Sequence, residues 1–247
     1  MELTVLGSSG TYPTAGNPSS GYLVQCDGTS LLLDAGSGVY VALCDFIDPG
    51  ELDAVVLSHR HVDHCADIFA LSHRLLYGPP RSTRVPLFVP PELADRLVAF
   101  GGESFTEAFE LVEIQTADME SHAIGALRLS FAPAAHNVPA LLTKVESDEA
   151  SLVYTGDTGE TPQLQALAHE CDLLLAEASL IEADWHHHMT PDQAATAAAT
   201  AGARKLALTH IRPTVDPSRA LAAARAIHPN TVLATPGLTI RLPAEEH

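Results

Sequence analysis

Basic residues are scarce in this chain of 247 residues. Its 13 lysines and arginines face 31 aspartates and glutamates, a formal net charge of -18. Such an excess repels polyanions, so a large RNA or DNA partner is not expected unless the basic residues cluster. The densest group, Arg74, Arg81 and Arg84, is no such cluster. Small anionic substrates stay open, because a bound metal reverses the local field. Cysteine is sparse too: Cys26, Cys44, Cys65 and Cys171 are scattered and form no C-x-x-C pair. That spacing predicts reduced, mostly buried thiols of a cytosolic protein. No apolar run reaches membrane-spanning length, so no membrane is expected. The opening "MELTVLGSSG" has neither a basic stretch nor an apolar core, so no signal peptide is expected and the predicted compartment is the cytoplasm.

Hydrophobic residues make up 46% of the chain, enough for one large layered core or two small ones. "ELTVL" reads as a strand, followed by a Gly/Ser/Pro loop to Ser20. "GYLVQCDGTSLLLDAG" reads as a hairpin turning at Asp27-Gly28. "VYVALCDFI" predicts a short helix, and "AVVLSH" a buried strand ending in polar residues. "DHCADIFALSHRLLYG" has helical spacing and stops at Gly78-Pro79-Pro80. "VPLFV" predicts a strand, and "PPELADRLVAF" a helix with proline at its start. "ALRLSFAPAAH" and "ALLTKVESDEASLVYTGD" predict three more strands. Four strand and helix segments alternate from "TPQLQALAHE" through "KLALTHI", then the helix "SRALAAARAI" leads to a final strand pair in "TVLATPGLTIRL". Strands in meander order dominate the first half, and strand alternates with helix in the second. This predicts an α/β fold, a four-layer α/β/β/α sandwich, rather than a single doubly wound sheet. No linker or internal repeat divides it, so residues 1–247 are expected to form one domain.

The strongest chemical signal is "SHRHVDH". His59, His61, Asp63 and His64 fall within six positions just past a buried strand. Residues two apart in an extended segment point the same way, so His59 and His61 can share one ion. A helix starting near Asp63 would turn Asp63 and His64 toward a neighbouring position. Imidazole and carboxylate donors suit zinc, and also manganese or iron.

H-x-H-x-D-H after a strand resembles the metallo-β-lactamase superfamily. "LLLDAG" with Asp34, "APAAHNVPA" with His136, "VYTGDTG" with Asp157 and "LALTHIRP" with His210 follow in that family's order. The resemblance implies two divalent ions. His59, His61, His136 and Asp157 would hold one; Asp63, His64, His210 and a bridging Asp157 would hold the other. Asp34 would orient ligands rather than bind metal.

"LGSSGTYPTAGNPSSGYLV" and "HMTPDQAATAAATAGARKLALTH" are similar to the ribonuclease Z-like phosphodiesterase branch. That likeness implies a Glu177–His188 pair at the metals, although Ala176 replaces the histidine usual before the glutamate. His188 would protonate the leaving oxygen and Asp63 would join the catalytic set, while water activated between the ions attacks phosphorus. The tRNA-processing members carry a long arm between motifs. Here roughly twenty residues separate His136 from Asp157 and already read as a hairpin. The likeness therefore narrows to armless bacterial enzymes similar to the atypical cyclic-nucleotide phosphodiesterases. It implies a small phosphodiester substrate and a homodimer, through the helix from Asp67 to Tyr77. A carboxylic-ester, lactone or thioester hydrolase on the same metals is the chief alternative; a ribonuclease Z-type endonuclease and a binding protein without turnover come after it.

Two loops complete the expectations. Ser8-Ser9-Gly10-Thr11 could line the mouth of the site with N–H and hydroxyl donors, or could simply connect. Three histidines stand in a row at His186, His187 and His188. Thr190, Pro191 and Gln193 predict a capping box two residues beyond His188. His188 is thus the expected proton donor, His186 and His187 are bystanders, and none of the three is expected to bind metal.

Overall fold

The computed structural model describes residues 1–115, 121–180 and 185–243. The first sheet contains β1 (Glu2–Gly7), β2 (Gly21–Cys26), β3 (Thr29–Leu33), β4 (Ala54–Val56), β5 (Val85–Val89) and β6 (Phe109–Glu113). The second contains β7 (Ser121–Ile124), β8 (Leu127–Pro133), β9 (Leu141–Glu146), β10 (Ser151–Tyr154), β11 (Leu173–Glu177), β12 (Lys205–Thr209) and β13 (Thr231–Leu233). The last strand, β14 (Thr239–Arg241), returns to the first sheet. Among the described residues each sheet has seven strands, in the orders β14-β1-β2-β3-β4-β5-β6 and β13-β12-β11-β10-β9-β8-β7.

The helices are α1 (Val39–Leu43), α2 (Val62–Cys65), α3 (Ile68–Tyr77), α4 (Leu93–Gly101), α5 (Phe105–Ala108), α6 (Pro162–Leu167), α7 (Pro191–Ala201) and α8 (Pro217–Ile227). Their apolar residues cover the outer face of each sheet, giving the expected four-layer sandwich. Strand alternation explains the layering. Leu31 and Leu33 face the core between the sheets with Tyr22, Phe88, Tyr154, Leu173 and Leu175. Leu32, Val55 and Leu87 face outward onto Ile68, Leu71, Leu97 and Phe105. On the second sheet Leu174, Ala176 and Leu206 face outward onto Ala194, Ala195, Ala198 and Ala224. Strands buried on both faces read as continuous apolar runs, as "AVVL" and "DLLLA" do.

The organisation differs from the predicted contrast between halves. Both sheets begin as antiparallel meanders and end in parallel strands: β3 to β6 in the first, β10 to β13 in the second. The expected final strand pair does not exist. β13 pairs with β12, whereas β14 pairs with β1 in the other sheet. Between them Gly237, at φ 82, and the Thr235–Leu238 turn carry the chain across the sandwich. The long predicted helix after Asp63 is two helices, α2 and α3. Proline does not begin α4: Pro90 and Pro91 precede the turn residue Glu92, at φ 69. No described helix is long and apolar enough to cross a membrane.

Candidate metal centre

β4 delivers the first group of side chains. Ser58 and His59 continue the strand, and His59 bridges Ala140 from the second sheet, with the Leu141 N–H donating to the Ser58 carbonyl at 2.9 Å. The H-x-H loop is therefore stitched to both sheets. His61 caps α2, whose first turn carries Asp63 and His64 back over the site. Gly36 allows this return, since a Cβ there would collide with the Asp63 carbonyl. The second sheet delivers one residue per strand end. His136 follows β8, Asp157 follows β10, Glu177 ends β11 and His210 follows β12. Gly156, at φ 53, lies against the Ser58 side chain, which brings Asp157 to the H-x-H loop.

These residues converge. His59 Nε2 lies 2.9 Å from His61 Nδ1, and His136 Nε2 lies 3.3 Å from that same atom. Asp157 Oδ2 is 3.6 Å from His59 Nε2. On the other side, His64 Nε2 is 3.2 Å from His210 Nε2, and Asp63 Oδ2 is 3.1 Å from the latter. Asp157 Oδ1 is 3.3 Å from both His64 Nε2 and His210 Nδ1. His59, His61, His136 and Asp157 could hold an ion, as could Asp63, His64 and His210. Asp157, His188 and His210 form a third set within the same reach. There, however, His188 Nδ1 is already bonded to Glu177 Oε1 at 2.8 Å.

A network of donors and acceptors behind four of the rings, those of His59, His64, His136 and His210, decides which nitrogen of each is free. The Ser58 hydroxyl donates to Asp34 Oδ2 at 2.7 Å and accepts from His59 Nδ1 at 3.0 Å. His64 Nδ1 donates to Asp34 Oδ2 at 2.7 Å. His136 Nδ1 donates to the His187 carbonyl at 3.1 Å, and His210 Nδ1 to the Ser179 hydroxyl at 2.7 Å. Each bond places the proton on Nδ1 and leaves the Nε2 lone pair facing its neighbours. Converging lone pairs repel one another unless a cation sits between them. Asp157 Oδ1 makes the same point: it is buried and accepts no hydrogen bond of ordinary geometry among the described residues. Orphaned buried carboxylate oxygen is costly. The donor set therefore fits divalent cations of the zinc, manganese or iron class.

The proton affinities of His59, His61 and His136 point the same way. Burial pushes His59 and His61 down from the usual imidazole range and His136 down to about 4, favouring the neutral, ligating form. Burial works against charge on His64 too, but the Asp157 and Asp34 carboxylates overcome it and raise His64 well above that range. Burial would raise Asp157, yet His210, His64 and His59 hold it well below the usual carboxylate range. A cluster that holds its carboxylates ionised demands positive charge, which a metal or a proton can supply.

The site also stores strain. Thr11, Asp34 and His210 have φ of 70, 58 and 52, a region that non-glycine residues rarely occupy. Asp34 is held there by four donors: Ser58 N at 2.6 Å, the Ser58 hydroxyl, His64 Nδ1 and the Tyr154 hydroxyl at 2.6 Å. Thr11 N–H donates to Asp63 Oδ2 at 2.9 Å. The Ser8–Thr11 loop thus supports the centre through one N–H. Its serine hydroxyls are used inside the loop, on Asn17 and on the Tyr12 carbonyl.

The structure brings every predicted site residue to one place. Ala176 does not disturb Glu177, because successive strand residues face opposite sides. Ala176 packs on the outer core, while Glu177 Oε1 and Oε2 accept from Thr158 N and Ser179 N on the inner side. The capping box at Thr190 and Gln193 is present. One expectation is corrected: His187 is not a bystander, since its carbonyl holds His136. His186 is exposed, but its carbonyl packs where Gly159 lacks a side chain. Four supporting residues were not singled out from sequence: Ser58, Tyr154, Thr158 and Ser179. The serine beside His59 was the available signal, because ligating histidines need a partner for their second nitrogen.

Comparison with known proteins places this architecture. The family model of the Beta-lactamase superfamily domain matches residues 29–211. The chain belongs to the metallo-β-lactamase superfamily and is a metallo-hydrolase by class. It is 37% identical over 224 residues to an uncharacterised protein of Mycobacterium tuberculosis, covering 86% of this chain and 81% of that one. It is 29% identical over 221 residues to the probable metallo-hydrolase YhfI of Bacillus subtilis, covering 85% and 87%. The crystal structure of YhfI superposes with a TM-score of 0.88 over 97% of this chain and 98% of that one, at 26% identity. Ribonuclease Z of Myxococcus xanthus is 27% identical over 312 aligned positions, covering 100% of this chain and 99% of that one. An alignment of 312 positions against a chain of 247 leaves about 65 positions without a counterpart here.

Proposed function

We propose that the chain is a dinuclear metal-dependent phosphodiesterase acting on small phosphodiesters such as cyclic nucleotides. The observation that carries this reading is the Glu177–His188 pair, bonded at 2.8 Å beside the metal-ligand cluster. His59, His61, His136 and Asp157 would hold one ion, and Asp63, His64, His210 and the second oxygen of Asp157 the other. Zinc suits these donors best. When bound, such ions acidify a water at neutral pH and offset negative charge on phosphoryl oxygens.

The chain's own residues do the rest. Glu177 accepts the Nδ1 proton of His188 and fixes its tautomer, leaving Nε2 to deliver a proton. Burial disfavours charge on His188, but the Glu177 carboxylate outweighs it and raises its proton affinity above the usual imidazole range. A raised proton affinity favours the protonated ring that a general acid requires. Water adds to phosphorus, the bond from phosphorus to the ribose oxygen breaks, and that oxygen takes its proton from His188. The proton released by water restores His188 through solvent. Asp63, held by Thr11 N–H, positions the attacking side.

A dedicated acid matters most for an alkoxide leaving group, which supports a phosphodiester with a ribose oxygen over an activated ester. The acidic surface and the positions lacking against ribonuclease Z support a small substrate. Rates on bis(p-nitrophenyl) phosphate, cyclic AMP and a lactone panel test the reading. Phosphodiester turnover is expected to dominate and to disappear on chelation. His188→Ala is expected to keep its metals and lose about 10²–10⁴-fold in turnover of cyclic AMP. Lactone turnover exceeding every phosphodiester would overturn the reading; a fully active His188→Ala would remove the proton-donor role.

A further inference from the structure

The function proposed above uses His188 but leaves its neighbour without a task. Trp185 is the chain's single tryptophan. It is 45% exposed, and its ring centroid lies 5.0 Å from that of His188 at an interplanar angle of 57°. His188 in turn lies 5.2 Å from His136 and stacks on His210 at 6.1 Å and 7°. The indole therefore stands one ring out from the metal ligands, with the proton donor between.

Its position is fixed by its own segment. The His188 N–H donates to the Trp185 carbonyl at 3.3 Å, closing a turn. The His187 carbonyl is tied to His136, and the His186 carbonyl seats against Gly159. Three consecutive backbone positions are thus anchored while the largest apolar side chain of the segment remains open to solvent. A fixed, exposed aromatic face beside a proton donor is a ready stacking surface, because little ordering remains to oppose binding.

We propose that Trp185 is the platform on which the nucleobase of the substrate stacks, so that the site selects phosphodiesters of nucleosides. The inference rests on the phosphodiesterase reading for its chemistry. His188 gives its proton to a ribose oxygen, which places that ribose beside His188. A base carried by that ribose comes within reach of Trp185, whose ring centroid is 5.0 Å from that of His188. Every base has a π-face, so the platform favours nucleosides as a class without choosing among bases.

The single tryptophan makes the test direct. Purified metal-loaded protein is titrated with 5′-AMP while tryptophan fluorescence is recorded, with ribose 5-phosphate and inorganic phosphate as comparisons. AMP is expected to change the emission saturably, and the two base-free phosphates to leave it largely unchanged at the same concentration. Trp185→Ala is expected to raise KM for cyclic AMP about 5- to 150-fold, with a smaller change in kcat. Trp185→Phe should recover most of that loss and Trp185→Leu should not. AMP without effect on emission, or Trp185→Leu with the wild-type KM, would overturn the proposal. If cyclic AMP is hydrolysed while AMP leaves the emission unchanged, the platform fails and the phosphodiesterase reading stands. If AMP binding changes the emission but no phosphodiester is hydrolysed, the platform stands as a nucleotide site and the catalytic reading fails.

Discussion

The two sheets furnish the candidate centre in different ways. The first supplies His59, His61, Asp63 and His64 from one loop and the single turn of α2. The second supplies His136, Asp157, Glu177 and His210 from four separate strand ends. In the first half, local chain conformation sets the spacing of the donors. In the second, the spacing comes from the separation of neighbouring strands, about 4.8 Å, and from what holds the strands in register. The outer layers differ in the same direction. Large Leu, Val and Phe side chains seal the helices of the first sheet, whereas α7 and α8 approach the second through alanines. A contiguous motif tolerates little change in its own residues; a distributed one depends on the sheet beneath it and on the residues that join the halves.

Asp157 should break the comparison most severely, because it belongs to the second sheet yet faces both donor sets. Asp157→Ala is expected to lose metal from both halves and to fall to background turnover, measured by metal analysis and cyclic AMP hydrolysis on the same sample. Loss of metal from one half alone would show that the halves fill independently. Asp34→Asn comes next. Asp34 follows the strand β3 and joins Ser58 and His64 of the first half to Tyr154 of the second. An amide cannot accept from all of those donors, so metal affinity or activity should fall about 10- to 100-fold. Titration with a chelating competitor would measure it. The mildest change should be Glu177→Gln, confined to the second half. Burial already opposes charge on His188, and removing the carboxylate removes what raises its proton affinity. The ring then loses its proton at lower pH. The alkaline limb of the kcat profile should therefore move to lower pH, with metal content unchanged. A limb that stays in place would assign it to another group.

This difference also governs how much could be read from the sequence. "SHRHVDH" announces itself because its donors are neighbours in the chain. Asp34, His136, Asp157, Glu177, His188 and His210 were legible only through resemblance, since each alone is an ordinary polar residue at a strand end or, for His188, in the turn before α7. The supporting network was not legible. Tyr154 meets Asp34 across 120 positions, and Ser179 meets His210 across 31, so no local pattern connects them. The carbonyl of His187 was invisible for another reason, because a backbone group leaves no trace in side-chain identity. The four layers followed from apolar runs and their order. The fate of β14 did not, because "ATPGLT" reads as a hairpin turn while its flanking strands join different sheets. The segment Phe105–Glu113 also escaped the sequence reading, since β6 alternates weakly and its last residues are partly or fully exposed.

The central claim is that two unlike halves close on one centre that holds two ions. Metal per chain, measured by inductively coupled plasma mass spectrometry on protein saturated with zinc and freed of excess, tests it most directly. Two ions per wild-type chain are predicted. Saturation at one ion per chain, or at none, would contradict it.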